Sequence, residues 1–171
     1  MTTINIFYTN LTALDIKLFD DVSITELSCY NNQIKSLPSE IDNLINLQIL
    51  SCSHNQIELL PREIGRLVNL RELYCGYNQM KSLPREIGNL INLQKLYCWY
   101  NQIESLPSEI GNLTNLQNLY CNYNQIKSLP SEIGNLVNLR EFNYSNNPIE
   151  HIPPNVIRLI QRLENRFRNA Q

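Results

Sequence analysis

At 171 residues, with 43% of them apolar and a formal charge of -2, the chain carries material for one continuous core and no basic surplus to meet a nucleic acid. It has no run of about 18 apolar residues, and its opening MTTINIFYTNLTAL shows no basic segment followed by an apolar one, so neither a membrane span nor secretion is expected. The five cysteines, odd in number and without a C-x-x-C pair, suit a reducing, cytoplasmic compartment (the host cell's, if the source is a virus) rather than a disulfide framework.

In chain order, the first strand falls at Ile4, in INIFYTNLTALD. Twenty-three residues later Leu27 opens LSCYNNQIKSLP, and the same step gives LSCSHNQIELLP from Leu50, LYCGYNQMKSLP from Leu73, LYCWYNQIESLP from Leu96 and LYCNYNQIKSLP from Leu119. Phe142 opens a looser copy, FNYSNNPIEHIP. Alternation in Leu96-Tyr97-Cys98-Trp99 sends positions 96 and 98 inward and 97 and 99 outward. One unit has too little apolar surface to bury alone, so neighbours must stack and their strands pair into one parallel sheet.

In the second half of a unit, Pro107 presets a helical turn, Ser108 and Glu109 suit its positive end, and Gly111 is read as letting the backbone turn back. Ile110, Leu113 and Leu116 then close the core. After HIPP, the segment NVIRLIQRLENRFRNA reads as a capping helix, with Asn155 as N-cap and Val156, Ile160, Leu163 and Phe167 at helical spacing. Its arginines 158, 162, 166 and 168 are read as an ordinary solvated face.

The pattern L-x-C-x-x-N-x-I-x-x-L-P-x-E-I-G-N-L-x-N-L resembles the leucine-rich repeat, in particular the intracellular 23-residue class of the Ras-group-related proteins, over roughly residues 4–153. The resemblance implies an α/β solenoid: a right-handed β-α superhelix with a curved parallel sheet on the concave face, short helical segments on the convex face and a C-terminal capping helix. It divides a single domain, 1–171, into a degenerate capping repeat (1–26), five near-consensus repeats (27–141), and a last repeat with its helix (142–171). It also implies that Asn32, Asn55, Asn78, Asn101, Asn124 and Asn147 turn inward to bond the backbone of adjacent turns. A small GTPase or another signalling protein is the partner it suggests.

Cys29, Cys52, Cys75, Cys98 and Cys121 share the second inward strand position and read as a stack of small core residues. Side chains in register on parallel strands point the same way about 4.8 Å apart, which is unlike the convergence a metal needs. No cofactor or metal is expected, and no catalytic residue: His54 and His151 occupy non-equivalent positions without a nucleophile beside them, and there is no Gly-rich phosphate loop.

The aromatics carry the functional expectation. Tyr74, Tyr97, Trp99 and Tyr120 alternate outward and Tyr77, Tyr100 and Tyr123 immediately precede the inward asparagine in three successive units, so all seven are placed on the concave face, with Tyr30, Phe7 and Tyr8 at the same positions earlier, and Arg71, Glu72, Lys95, Asn118, Asn122 and Glu141 as a rim. A contiguous patch rich in Tyr and Trp on a concave solenoid face suits a protein partner. The competing reading is that tyrosines stack along the sheet and serve no ligand. The residues after NQI, or its variant, alternate in sign from Lys35 through Glu58, Lys81, Glu104 and Lys127 to Glu150, so stacked neighbours would meet opposite charges, which is read as support for the register and not as a site. An uncovered edge on the first strand could pair with a second copy, which makes a homodimer, or a self-assembling module without a dedicated ligand, the alternative.

Overall fold

The computed structural model describes residues 2–168. Their strands are β1 (Thr2–Asn5), β2 (Ile24–Ser28), β3 (Ile49–Ser51), β4 (Glu72–Tyr74), β5 (Lys95–Tyr97), β6 (Asn118–Tyr120) and β7 (Glu141–Asn143), all parallel and paired in sequence order in one curved sheet. Leu27, Leu50, Leu73, Leu96 and Leu119 lie in register and fully buried, and the five cysteines form a second buried row beside them with free thiols. Burial pushes the Cys29 and Cys98 thiols up to about 12 and the other three well above their ordinary range.

After each of the first six strands runs a 3₁₀ turn: Ile16–Asp20, Ser39–Asn43, Arg62–Arg66, Arg85–Asn89, Ser108–Asn112 and Ser131–Asn135. In the last five, proline is the extended residue just before the turn, and the glutamate follows in its first turn. Unit one lacks that proline, yet the Asp15 carboxylate accepts from the Lys17 N–H at 3.0 Å, caps an equivalent turn and places Phe19 in the core.

The turn glycines act by size. None has positive φ, and a Cβ on Gly111 would fall 2.6 Å from the Cβ and 2.7 Å from the carbonyl oxygen of Glu132 in the next turn. Gly65 and Gly88 meet Glu86 and Glu109 in the same way, so glycine is what lets successive convex turns close up.

Two asparagine ladders tie the units together. Asn101 is typical of the inner one: its Oδ1 accepts from the Met80 N–H at 3.0 Å, and its Nδ2 donates to the carbonyls of Cys75 and Cys98, both at 3.1 Å. These are backbone groups without sheet partners, which would be left unpaired inside. The second ladder lies at the approach to each strand, where Asn46, Asn69, Asn92, Asn115 and Asn138 donate to the carbonyls of Val22, Ile45, Val68, Ile91 and Thr114 at 2.8–2.9 Å.

Helix α1 (Pro154–Arg168) ends the stack, with Val156, Leu159 and Leu163 buried and Ile160 packed against the core. Asn155 lies inside it and is no N-cap. Its Nδ2 instead donates to Ser131 O at 2.6 Å, while the Val156 and Ile157 N–H groups bond Pro153 O. Arg162 reaches Val137 O at 3.5 Å, the carbonyl that a further asparagine would have served. The side chain of Phe167 lies outside the described residues.

Candidate functional site: the concave aromatic face

Aromatic side chains form two columns across the concave face, one on the strands and one in the bends just beyond them. The inner column is Tyr74, Tyr97 and Tyr120: Tyr97 and Tyr120 stack at 4.5 Å and 6°, while Tyr74 meets Tyr97 edge-on at 5.1 Å. The outer column stacks His54, Tyr77, Tyr100 and Tyr123 face to face, at 4.1, 4.4 and 4.1 Å. Tyr30 joins it through an edge contact with His54 at 4.9 Å and touches Tyr8 beyond. The rings therefore do stack, and they still leave Tyr77, Tyr100 and Tyr123 39%, 39% and 43% exposed.

Trp99 bridges the columns, 5.8 Å from both Tyr97 and Tyr120 and 6.4 Å from Tyr77. Its indole leans onto Gly76, where a Cβ would fall 1.9 Å from Cδ1. Beside it in the next unit, Asn122 is 5% exposed and its Oδ1 has no hydrogen-bond partner.

The outer column has a backbone signature. His54, Tyr77, Tyr100 and Tyr123 all have φ between 48° and 56°, in the left-handed region, as do Asn31 and Asn146 at the same place in their units. The chain leaves the strand here to feed the inner asparagine ladder, and left-handed backbone costs an ordinary residue about 1–2 kcal/mol. Asparagine suits it best, so the tyrosines hold it against local preference. Asn31 and Asn146 were the sequence signal for this turn, and His54 the member of the column that reasoning from chemistry alone passed over.

At the rim the Tyr74 hydroxyl donates to Glu72 and the Tyr120 hydroxyl to Glu141, and Lys95 pairs with Glu72 at 3.0 Å. The bond to Glu141 and then partial burial push Tyr120 up to about 12, and partial burial and then the bond to Glu72 push Tyr74 higher still. Tyr100 is pushed up to about 12, first by its hydrogen bond with Tyr123. These three phenols, for which the ordinary pKa of about 10 already means neutrality at physiological pH, are held further from ionisation. A shallow groove of about 560 Å³ runs beside the outer column and is edged by Gln79 and Gln102.

Among the described residues no helix is long and apolar enough to cross a membrane, and no three His, Cys, Asp or Glu side chains gather as metal ligands would. What the face offers is a rigid, ring-lined, hydroxyl-edged surface on a solenoid scaffold. The units that build it place the molecule in a known class: the chain belongs to the leucine-rich repeat family, since the model of the "Leucine-rich repeat region" matches residues 24–96 and 62–165. Domains of this family generally mediate protein–protein interaction.

No curated protein matches the chain significantly. Among solved structures, a leucine-rich repeat protein of Leptospira interrogans is 32% identical with a TM-score of 0.68, covering 88% of this chain and 44% of its own. The Arabidopsis receptor kinase HAESA, in complex with the peptide hormone IDA and the co-receptor SERK1, is 28% identical with a TM-score of 0.79, over 92% of this chain and 28% of its own. The plant peptide hormone receptor RGFR1, in complex with RGF2, is 31% identical with a TM-score of 0.73, over 82% and 23%. The chain thus spans less than half the length of each of these proteins.

Proposed function

We propose that the chain is a non-catalytic binding module that holds a protein partner on its concave aromatic face, with Tyr77, Trp99, Tyr100 and Tyr123 as anchors. The observation that carries this reading is the outer column, where tyrosines occupy left-handed backbone and remain exposed in three successive units. A preformed surface loses little conformational freedom on association, and Tyr and Trp are the side chains that dominate binding energies. The peptide hormone IDA bound to HAESA, and the description of RGFR1 as a peptide hormone receptor, agree with a polypeptide ligand on such a scaffold. The resemblance to Ras-group-related repeats makes small GTPases and other signalling proteins the first partners to test. Five free, buried thiols suit action in the cytoplasm.

The test is affinity capture from a lysate of the source cell or its host, followed by a panel of purified small GTPases. The native chain is compared with a Tyr77→Ser, Trp99→Ala, Tyr100→Ser variant shown by circular dichroism to be folded. Proteins retained by the native chain and lost by the variant establish the face and name the partner. Identical captures overturn the reading and leave the rings as stacking residues.

A further inference from the structure

The flank between the concave strands and the convex turns carries Lys35, Glu58, Lys81, Glu104, Lys127 and Glu150, one to a unit and all exposed. Their backbones adjoin, the Glu104 N–H bonding Lys81 O at 3.1 Å and the Glu150 N–H bonding Lys127 O at 2.8 Å. Yet among the described residues the ion pairs are Arg62–Glu63, Arg66–Asp42, Arg85–Glu86 and Lys95–Glu72, and none uses a flank charge. The alternation that sequence reasoning assigned to neighbour pairing within the chain is therefore unspent.

The rest of this flank carries no acidic side chain, lysine or arginine: a row of glutamines from Gln33 to Gln125 lies on one side, and serines with Leu59 and His151 on the other. Unit one contributes Thr12 at the equivalent position, so the row begins at unit two, ends at unit seven and contains an even number of charges. An even alternating row is complementary to its own reverse. Laid antiparallel on a second copy, Lys35 faces Glu150, Glu58 faces Lys127 and Lys81 faces Glu104, and each pair occurs twice. An odd row would set like charges against each other, and so would a parallel arrangement.

We infer that this flank is an isologous interface through which two copies of the chain pair antiparallel, about a two-fold axis between Lys81 and Glu104. A two-fold axis lying in the flank and perpendicular to the row superposes the two curvatures, so the row, about 24 Å long at about 4.8 Å per strand, stays matched end to end. Both concave faces then open on the same side, with their outer tyrosine columns adjacent, and a partner with two epitopes would meet a doubled surface. Leu59, 53% exposed, lies within this flank beside a hollow of about 470 Å³ shared with Glu58, Gln79, Lys81 and Gln102. The contact is charged and wet, which puts the dimer in the weak, salt-sensitive class.

The experiment is sedimentation equilibrium of the full chain at about 10 mM and about 1 M salt, where the screening length is about 30 Å and about 3 Å. A dimer at low salt that dissociates at high salt is expected. Lys81→Glu alone sets the introduced carboxylate against that of Glu104 twice at the axis and weakens the dimer by about tenfold or more. The exchange Lys81→Glu with Glu104→Lys restores it, as does mixing the Lys81→Glu chain with a Glu104→Lys chain. A native chain monomeric at about 1 mM in low salt overturns the inference. So does a dimer indifferent to Lys81→Glu, as one through the β1 edge would be, or a loss that neither the exchange nor the mixture repairs.

Discussion

Replacing Gly76 by alanine isolates the contact that holds the centre of the concave face. Gly76 has no positive φ, so its backbone accepts any residue and only space opposes the change. The new Cβ would fall 1.9 Å from Trp99 Cδ1 and 2.2 Å from Nε1. Ordinary carbon contacts begin at about 3.5 Å, so the indole must withdraw by roughly 1.6 Å. Doing so loosens its approach to Tyr97, Tyr120 and Tyr77. Each aromatic pair contributes about 0.5–1.5 kcal/mol, so partial loss of three costs about 1–3 kcal/mol. Alanine offsets about 0.4–1 kcal/mol by restricting the unfolded chain. A net loss of about 1–2 kcal/mol corresponds to a Tm lower by roughly 2–8 °C. Trp99 is the only tryptophan, so its emission reports the movement directly: a red shift and easier acrylamide quenching, with an unchanged far-ultraviolet spectrum. In a Trp99→Ala background the cost should fall to what the 3.1 Å approach to the residue 99 carbonyl oxygen leaves, which a double-mutant cycle reads as coupling. Unchanged emission, or a Tm loss as large without the indole as with it, refutes the reasoning.

The inner ladder makes a second prediction. Asn101→Ala strands the buried Met80 N–H, while Cys75 O and Cys98 O keep Asn78 and Asn124, so a loss of about 2–3 kcal/mol is expected in urea unfolding. The thiols make a third, in alkali. In the unfolded chain they ionise from about pH 9, whereas Cys29 and Cys98 hold their protons to about 12 and the other three are held up as well. The native state then binds more protons than the unfolded one, so stability is full below pH 9 and falls above it, by up to about 1.4 kcal/mol per pH unit for each thiol. Tm measured from pH 8 to pH 10, below the ionisation of free tyrosine, should drop steeply, and replacing Cys98 by alanine should flatten the slope by about one fifth. Ellman's reagent at pH 8 should find the native thiols unreactive.

Much of this molecule is legible because two periods, two and twenty-three, fix which side chains share a face and which share a column. The leucine and cysteine rows and the outward Tyr74, Tyr97 and Tyr120 follow from them, while the inward asparagines follow from the resemblance to the repeat family. Contacts that depend on size across a unit boundary do not. The role of Gly111 is visible only against Glu132, and the lean of Trp99 only against Gly76, twenty-three residues away in sequence and adjacent in space. The second ladder was hidden differently: Asn46 and its repeats look like surface polar residues until the carbonyl of the preceding unit is seen beside them. In unit one, Asp15 performs by side-chain capping what proline does elsewhere, so a search for the repeated motif misses the turn.

The same comparison bears on what the tyrosines are for. Stacking alone would explain Tyr97 and Tyr120, which sit on ordinary extended backbone and gain from one another at 4.5 Å. It accounts less well for Tyr77, Tyr100 and Tyr123. There the chain needs a left-handed residue, and Asn31 and Asn146 show that asparagine meets the need in this very sequence. A stacked pair contributes about 0.5–1.5 kcal/mol, close to the cost of left-handed backbone, about 1–2 kcal/mol. The column therefore yields little net stability, as the proposed binding role of its exposed rings expects and a purely stacking role does not.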